Sequence, residues 1–468
     1  MRWRWAPPAV FLLLTLFTAF SGALAAAALP EALAVLPEQV VLTVPKAVGQ
    51  ELAVSYTSHP MKVIVDSNRP LQGMPEQALV GDVALRELRY TEGEDGSSRL
   101  VLEFNYQLPE GAVCEDEELF QLVIPKTFAQ TTTRLVELGV VYGHQRRADS
   151  YGPNVVNYLE IDLRRNWEVK LVLAQDRVYG AERVSDMAKR TGAIAAVNGA
   201  YFASNGRPLG VFMIDGELIT EPYANRTAVG LGPQGAIIDN VGFVGELWYA
   251  GELLTSISGL NRPRLQDELI VYTEAYGTKT NTNVYGYEVV VVDGVVVQLQ
   301  PEGNSTIPPG GLVLSAHGAQ RQYLAGLKVG DQVEVVINLQ PDWSELGIRQ
   351  IIGGGPRLLR GGVLDITGEA EQFKDDILKG RAPRTAIGIT ADQKLLLVTV
   401  NGRQPNISVG MTLEELGNLL IELGALEAMN LDGGGSTTMI VRNLVLNLPS
   451  DGKERAVANA IVVVPGAK

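Results

Sequence analysis

The chain has 468 residues, of which 46% are hydrophobic and 20% charged, and its formal net charge is −14 at pH 7. This composition is ordinary for a soluble globular protein with a large core, and the length favours two or three domains. The acidic balance argues against nucleic acid or an anionic membrane surface as a partner, although a few local arginines can still form a positive pocket.

Histidine and cysteine are scarce, which limits metal and disulfide chemistry. Three histidines and one cysteine, Cys114, leave few ligands for a zinc site, and neither a CxxC nor an HExxH motif occurs. A single cysteine permits no internal disulfide, so folding relies on burial. The sequence therefore gives no reason to assign a metal or a cofactor.

Residues 1–25 have the pattern of a signal peptide. Arg2 and Arg4 precede an apolar stretch from Ala9 to Phe20, and a small-x-small site follows at Ala23–Ala25. An uncleaved membrane anchor is the alternative, but the apolar stretch is short for a spanning helix. We therefore predict export, to the cell envelope or the extracellular space.

Residues 30–130 predict a small all-β domain. Short alternating runs, among them QVVLTVP, KVIVDS and FQLVIP, are separated by turn clusters such as TEGEDGSS at Thr91–Ser98. The stretch from SSRLVLEFNYQL to FQLVIPKTF resembles the envelope-associated AMIN modules, and this resemblance implies contact with the cell wall. A β spacer with an unknown partner is the alternative interpretation.

From residue 135 to residue 468 the pattern becomes mixed. Strand candidates such as VVNYLEIDL, AIAAVNG, EVVVVDG and KLLLVTV recur along this segment. One helix is well specified over Thr412–Leu423, because Thr412 and Glu415 form a capping box and Gly424 follows the last turn. We predict the α+β class, with a mixed-sheet domain that follows the small all-β domain.

A similarity between two stretches of this segment predicts an internal repeat. NRTAVGLGPQG and PRTAIGITADQ are similar strand-like runs, and each follows a small-residue turn, VNGAYF or IGGGPRLL. The spacings agree: Asn198 to Arg226 is 28 positions, and Gly354 to Arg384 is 30. Coincidence between two glycine-rich hairpins is the alternative. A duplicated half-domain would bring the two arginines towards a shared cleft.

Two glycine runs, DGGGS at Asp432–Ser436 and GGGP at Gly353–Pro356, suit the binding of an anion. Consecutive glycines let backbone N–H groups converge into a nest, and arginine side chains match phosphate or carboxylate. Neither run has the lysine of a P-loop, and no strand–GxGxxG–helix unit occurs, which argues against nucleotide hydrolysis and a dinucleotide cofactor. A purely structural turn explains the glycines equally well.

Asp432 and His317 are the candidates for proton transfer or nucleophilic attack. An aspartate before a glycine run can close an Asx-turn, or it can serve as acid, base or nucleophile if the site desolvates it. His317 ends an apolar run, LVLSAHG, where packing is the ordinary role of a lone histidine. Ser436 lacks a G-x-S-x-G elbow, which disfavours a serine esterase.

The segment from Leu135 to Pro465 resembles the phosphodiester glycosidase family. The matching pieces are AAVNGAYF, NRTAVG, VLSAHG, IGGGPRLL and the long block from Arg381 to Met439, in the family's order. The resemblance implies hydrolysis of a sugar-1-phosphodiester to free sugar and a phosphomonoester. It assigns catalysis to Asp432, Arg384, Arg226 and His317. It assigns substrate binding to Asn198, Tyr201, Gly354, Gly355, Asn430, Gly433, Gly434, Gly435 and Ser436.

From this resemblance we expect different groups of residues to have different roles in the site. The two arginines clamp the phosphodiester or orient the carboxylate of Asp432, and the Gly433–Gly435 amides hold a phosphate oxygen. Asn198, Tyr201 and His317 hold sugar hydroxyls or relay a proton. A second carboxylate has no firm candidate. The acidic residues near the first half of the repeat are Asp215, Glu217 and Glu221.

The sequence thus predicts an exported bacterial hydrolase that acts on a sugar phosphodiester in an envelope or secreted glycopolymer. Two alternatives stay open. The chain could be a non-catalytic envelope glycan-binding protein, or a phosphodiesterase that releases sugar-1-phosphate.

Overall fold

The computed structural model describes residues 29–232 and 235–466, so the predicted signal peptide lies outside the described residues. The chain divides into two compact units, one ending at Pro125 and the other beginning at Lys126. Strands dominate both units and helices are few. This composition fits the predicted α+β class, with a strong excess of β.

The first unit is built from strands alone in its described part. Its strands are β1 (Leu33–Val35), β2 (Gln39–Pro45), β3 (Leu52–Ser58), β4 (Met61–Ser67), β5 (Gln77–Leu79), β6 (Leu85–Glu92), β7 (Ser98–Phe104), β8 (Ala112–Glu115) and β9 (Leu119–Pro125). They form two antiparallel sheets, ordered β1-β2-β9-β8 and β3-β4-β7-β6-β5. Burial alternates along β2 and β4 because successive side chains point to opposite faces, and one face carries the apolar residues.

The second unit begins with strands that surround one short helix. These elements are β10 (Phe128–Glu137), β11 (Val140–Asp149), β12 (Gly152–Asp162), β13 (Trp167–Leu173), β14 (Glu182–Arg183), α1 (Val184–Thr191), β15 (Ala195–Asn198), β16 (Phe212–Ile214), β17 (Glu217–Thr220), β18 (Thr227–Gly232) and β19 (Gly235–Asn240). A further group then follows along the chain. It comprises β20 (Gly242–Tyr249), β21 (Glu252–Ser256), β22 (Gly259–Leu260), β23 (Leu269–Tyr272), β24 (Gly286–Val292), β25 (Val295–Gln300), β26 (Gly311–His317), α2 (Arg321–Ala325) and β27 (Val333–Gln340).

The C-terminal part of this unit holds the long family-like block. Its elements are β28 (Gln350–Gly353), β29 (Arg357–Arg360), β30 (Val363–Leu364), α3 (Asp375–Leu378), β31 (Arg384–Thr390), β32 (Lys394–Val400), α4 (Leu413–Glu422), β33 (Ala425–Asn430), β34 (Met439–Val441), β35 (Leu444–Val445), β36 (Ala456–Val457) and β37 (Asn459–Pro465). Among the residues placed by the structure, no helix is long and apolar enough to cross a membrane.

Two groups of strands in the second unit share one order. In the first half-sheet, β17-β16-β28-β18-β19, strand β28 lies between two hairpins. In the second half-sheet, β30-β29-β33-β31-β32, strand β33 lies between two hairpins in the same way. The second half-sheet continues through β12, β11 and β10 into a larger sheet. Strand β28 ends at the first glycine of its run, Gly353, and β33 ends at Asn430, three residues before Gly433.

A hydrophobic core fills the space between these half-sheets and the sheet β13-β37-β15-β34-β35. Its fully buried members include Val197, Phe212, Ile352, Ile387 and Leu397. Burial of such side chains contributes roughly 1.5–3 kcal/mol each. The core therefore holds the ends of β15, β28 and β33 in fixed relative positions.

Two local features connect the sequence to this arrangement. Helix α4 begins where the capping box predicts, because the Thr412 hydroxyl accepts from the Glu415 amide and the Glu415 carboxylate accepts from the Thr412 amide. The fully buried Arg357 of β29 joins the half-sheets, since its guanidinium pairs with Asp239 at 2.9 Å and Glu427 at 2.7 Å. A buried arginine is stable only when its donors are satisfied in this way.

Candidate active site

Asp432 lies directly after β33, in a loop that is held by backbone hydrogen bonds on both sides. The Leu431 amide donates to the Thr385 carbonyl at 2.8 Å, and the Asp432 amide donates to the Gly199 carbonyl at 3.1 Å. The loop is therefore fixed between the end of β15 and the start of β31. Such a position at strand ends suits a side chain that must be presented accurately to a ligand.

Asn198 fixes the same loop through its side chain. Its Nδ2 donates to the Asp432 carbonyl at 2.6 Å, and its Oδ1 accepts from the Thr385 hydroxyl at 2.8 Å and the Thr438 amide at 3.1 Å. The residue is 1% exposed. The structure therefore gives Asn198 a positioning role within the protein, rather than the sugar contact that the resemblance implies.

Each glycine after Asp432 has a steric reason. A Cβ on Gly433 would lie 2.7 Å from the Pro383 carbonyl oxygen, Gly434 has φ +60°, and a Cβ on Gly435 would overlap the Arg455 guanidinium. The Gly434 amide donates to the Pro383 carbonyl at 2.8 Å. That amide is therefore committed within the protein, which argues against the prediction that it holds a phosphate oxygen.

The environment of Asp432 raises the pKa of its carboxyl group to about 6, mainly through desolvation by burial. A hydrogen bond from the Ser436 side chain, the Gly433 amide and the charge of Arg455 each oppose this rise. A carboxyl with such a pKa is largely ionised at neutral pH and readily reprotonated just below it. This is the range that acid–base or nucleophilic catalysis needs.

Tyr201 connects the two glycine loops. Its hydroxyl donates to the Gly355 carbonyl at 3.0 Å and accepts from Asn430 Nδ2 at 2.7 Å. Burial is the main cause that raises the pKa of Tyr201, and the nearby charge of Asp432 adds to the rise. Asn430 Oδ1 is buried and has no partner among the described residues, so it offers an acceptor to an incoming donor.

Arg226 lies between two aromatic rings. Its guanidinium carbon is 3.7 Å from the centroid of the Phe373 ring and 4.7 Å from that of Tyr223. Its Nε donates to the Glu371 carbonyl at 3.0 Å, and Nη2 to the Gln372 carbonyl at 3.2 Å. Burial lowers the pKa of this arginine from its ordinary value. The side chain is thus held rigidly with part of its fork uncommitted.

Arg384 is held differently, by backbone carbonyls. Its Nε donates to Met411 at 2.9 Å, Nη1 to Ile377 at 3.2 Å and Nη2 to Gly380 at 3.1 Å. The residue is 3% exposed, and burial lowers its pKa. The charges of both Arg384 and Arg226 lower the pKa of Tyr201, so the two arginines flank that residue.

Several residues of this cluster have no recognisable signal in the sequence. Phe373 packs against both Tyr201 and Arg226, with a centroid distance of 5.6 Å to the Tyr201 ring. The Arg403 Nη2 lies 3.1 Å from the position of a Cβ on Gly434, and Arg455 acts on Asp432 through its charge. These residues lie far apart along the chain and belong to no shared motif. The cluster thus combines a buried carboxyl group with nearby arginines from several parts of the chain.

His317 lies in a different sheet, β22-β23-β26-β24-β25, at the end of β26. Its amide donates to the Glu268 carbonyl at 2.9 Å, and its Nδ1 is buried without a partner in the described structure. No hydrogen bond or ion pair joins it to the Asp432 cluster within the described ranges. The structure thus does not bring His317 into contact with the other predicted catalytic residues.

The acidic residues near the first half of the repeat are engaged elsewhere. Glu221 pairs with Arg262 at 2.6 Å, and the Asp215 carboxylate accepts from Gln350 at 2.8 Å. Within residues 29–232 and 235–466, no three His, Cys, Asp or Glu side chains are grouped so that they could hold a metal ion. Asp451 is also engaged, since its carboxylate pairs with Arg455 at 2.6 Å beside Gly435.

Comparison with protein families gives a match that overlaps this cluster in part. The model of the phosphodiester glycosidase family matches residues 285–464. The match includes Arg384, Asn430 and the DGGGS loop, whereas Asn198, Tyr201 and Arg226 precede it.

A curated relative and two solved structures are similar to the chain. The uncharacterized SPbeta prophage-derived protein YomE of Bacillus subtilis (strain 168) is 38% identical over 86 residues, which is 18% of this chain and only 13% of the relative's length. A crystal structure of a hypothetical protein from Synechocystis has TM-score 0.66 and 22% identity, over 91% of this chain and 77% of that one. A candidate exported protein of Burkholderia pseudomallei K96243 has TM-score 0.60 and 21% identity, over 94% of this chain and 99% of that one. At these identities the structural matches establish a shared fold.

Proposed function

We propose that the chain hydrolyses the glycosidic bond of a sugar-1-phosphodiester, because residues 285–464 match the model of the phosphodiester glycosidase family. The products are free sugar and a phosphomonoester on the other group. One observation carries the proposal above the rest: Asp432, with its pKa raised to about 6, lies in a cluster with Tyr201 and several arginines.

The charges of the cluster suit this substrate. A phosphodiester is anionic, and the guanidinium groups of Arg226 and Arg403 offer planar donors to its oxygens, while Arg455 is paired with Asp451 at 2.6 Å. Arg226 is preorganised by its two aromatic neighbours, so little entropy is lost when it binds an oxygen. The buried Arg384 shapes the segment behind the site and adds positive potential.

The reaction breaks the bond between the anomeric carbon and the bridging oxygen. Asp432 either attacks the anomeric carbon, which forms a glycosyl ester that water then hydrolyses, or removes a proton from the attacking water; in both cases the phosphate departs with the bridging oxygen. A phosphate leaves readily without full protonation, so the site depends less on a strong general acid than an ordinary glycosidase does. Tyr201 and Asn430, which are hydrogen-bonded to each other at 2.7 Å, are the residues that we assign to sugar binding.

The test uses a panel of sugar-1-phosphodiesters and nucleoside diphosphate sugars in water labelled with heavy oxygen. Cleavage at the anomeric carbon releases free sugar that carries the label, together with an unlabelled phosphomonoester. Release of sugar-1-phosphate would instead establish the phosphodiesterase alternative. Saturable binding without any product would establish the glycan-binding alternative. Either of the last two outcomes rejects the glycosidase.

We further propose that the chain is exported and acts on a glycopolymer of the cell envelope or the extracellular space. The signal-like residues 1–25 support export, and the structural neighbour from Burkholderia pseudomallei carries a name that points the same way. The N-terminal β unit would then supply the contact with the cell wall. Fractionation of cells that express the full chain tests this, and retention in the cytoplasm would reject it.

We also propose that the two half-sheets arose by duplication. Their common strand order and the Arg-Thr pairs at the starts of β18 and β31 support this origin. The proposal is testable by superposing β16–β19 with β28 on β29–β33 in an experimental structure. Divergent backbone paths would reject it.

A further inference from the structure

A pocket of about 400 Å³ lies at the end of the sheet β21-β20-β27, and none of its lining residues belongs to the Asp432 cluster. Its volume is within the range of small-molecule sites. We propose that this pocket binds a neutral sugar residue of a glycan. The proposal goes beyond the hydrolytic function and does not depend on it. Three segments form the walls: Trp248, Ala250 and Gly251 after β20, Asp293 and Gly294 after β24, and Gln332 to Glu334 at β27.

Trp248 supplies the aromatic wall of the pocket. Leu247, the residue before it, is fully buried in a hydrophobic core, and successive side chains of a strand point to opposite faces. The Trp248 side chain therefore lies on the outer face of β20, where it is half-buried. Its indole Nε1 donates to the Glu246 carboxylate at 2.8 Å, which fixes the orientation of the ring before any ligand arrives.

A tight turn brings the polar side of the pocket together. Asp293 has φ +51° and Gly294 has φ +75°, as a two-residue hairpin loop between β24 and β25 requires. A Cβ on Gly294 would lie 3.3 Å from the Val333 carbonyl oxygen, so the glycine lets this turn approach the start of β27 closely. Asp293 thereby shares a pocket with Gln332 and Glu334.

The polar side chains of the pocket are available to a ligand. Within residues 29–232 and 235–466, the side chains of Asp293, Gln332 and Glu334 make no hydrogen bond or ion pair. The lining includes no lysine, arginine or histidine. The two carboxylates therefore repel a phosphate or another anion, and they accept hydrogen bonds from a ligand that carries donors.

An aromatic ring beside carboxylates and an amide matches the chemistry of a neutral sugar. One face of a sugar ring carries C–H groups that pack against an aromatic ring, as Trp248 offers here. Its hydroxyls donate to the carboxylates of Asp293 and Glu334, and they also accept from the Gln332 amide. An ammonium ion would suit the ring and the carboxylates, but it has no acceptor for that amide.

The experiment titrates the full chain with neutral mono- and trisaccharides of glucose, galactose and N-acetylglucosamine, followed by tryptophan fluorescence and calorimetry. We expect saturable quenching, with a Kd on the order of 1 mM or lower for the best trisaccharide. Asp293→Asn keeps a residue that suits the turn and should raise this Kd about tenfold, as for one lost charge-assisted hydrogen bond. Trp248→Leu should abolish the quenching. Asp186→Asn, which removes an exposed carboxylate from α1, is the matched control and should keep the wild-type Kd.

Three outcomes would overturn the proposal. The same Kd in the wild type, Asp293→Asn and Trp248→Leu would mean that the sugar binds elsewhere, including at the Asp432 cluster. Tighter binding of tetramethylammonium than of every sugar, weakened by the same two substitutions, would reject a sugar as the occupant. Absence of binding by all of the sugars to a folded chain would reject the site. The probes contain no phosphodiester, so each outcome holds whether or not the chain hydrolyses one.

Discussion

Each half-sheet has a loop after its central strand, β28 or β33, and the two loops differ in whether they carry a carboxylate. Ala228 of β18 pairs with Gly353, and Ala386 of β31 pairs with Asn430, so Gly353 and Asn430 stand at matching registers. Two residues further on, the first half has Gly355 and the second half has Asp432. A Cβ at Gly355, which has φ +101°, would overlap the Glu371 carboxylate.

This difference indicates a division of labour. Glu371 fills the space beside the first loop and accepts from the Thr227 amide at 3.0 Å and the Arg357 amide at 3.1 Å, so its carboxylate is used to hold structure. In the second loop the carboxylate is that of Asp432, directly before the glycine run. Burial desolvates it and raises its pKa. Under the proposed function, one half positions Arg226 and the other supplies the reactive group.

The largest expected effect comes from Asp432→Asn, which makes the second loop chemically as inert as the first. We expect kcat to fall by about 10³-fold or more, because a catalytic carboxylate contributes in this range. The measurement is product release from the best diester of the panel. Asp392→Asn, in the turn between β31 and β32, is the control and should retain activity. A near-normal rate in Asp432→Asn would remove that residue from the mechanism.

The two arginines provide the next comparison. Arg226→Lys should lower kcat/KM by about 10- to 100-fold with little change in the free energy of unfolding, since its fork faces the ligand. Arg384→Lys should instead lower the free energy of unfolding by about 2–4 kcal/mol, because buried carbonyls of Met411, Ile377 and Gly380 lose their donors.

Kinetics and urea unfolding on the same two variants separate these effects. If both variants lose activity equally and neither loses stability, the arginines play the same role and the division between the halves is wrong. Arg164→Lys, at an exposed pair with Asp162, serves as a control for the substitution itself.

Local patterns in the sequence predict the features that depend on neighbouring residues. The start of α4 follows from Thr412 and Glu415, which are three residues apart, and the structure confirms that helix. Local patterns also predict the alternating strands before residue 130. They likewise predict the order of strand, capped helix and strand before Asp432. Each depends on periodicities that reach only a few residues.

The rest depends on contacts between distant residues. The Asn198 side chain donates to the Asp432 carbonyl across 234 positions of the sequence. No sequence pattern links Phe373 to Arg226, on which its ring stacks. For the same reason nothing in the run LVLSAHG reveals that His317 lies in another sheet. Its catalytic role stays a prediction, and the structure offers no contact in its support.

The pH dependence of catalysis tests the state in which Asp432 acts. A carboxylate that acts as nucleophile or base must be ionised. Burial raises the pKa of Asp432 to about 6, so its ionised fraction falls below that pH. We expect kcat/KM to rise by about tenfold per pH unit below that value and to level off above it. A rate that falls with pH across the same range would mean that the protonated carboxyl is the active form.

The smallest expected effect concerns stability, and it has opposite signs at two aspartates of the second half-sheet. The folded pKa of Asp432 lies above its ordinary value of 3.8, so the folded state binds this proton more tightly than the unfolded state does. The carboxyl therefore favours folding most below about pH 4, and this contribution is lost as the pH rises through about 6. Asp432→Asn, which stays neutral, should become more stable than the wild type above that pH by about 1–2 kcal/mol.

Asp392 is the matched control, because a hydrogen bond from the Thr390 hydroxyl holds the pKa of its carboxyl below the ordinary value. Its contribution to stability is present above the unfolded pKa and is lost as the pH falls through the folded one. Asp392→Asn should therefore be less stable than the wild type at neutral pH, with a difference that fades in acid. Urea unfolding of the three chains across this range measures both differences. If Asp432→Asn is also destabilised at neutral pH, the carboxylate of the second loop is stabilised by its hydrogen bonds, and the contrast with the first loop is lost.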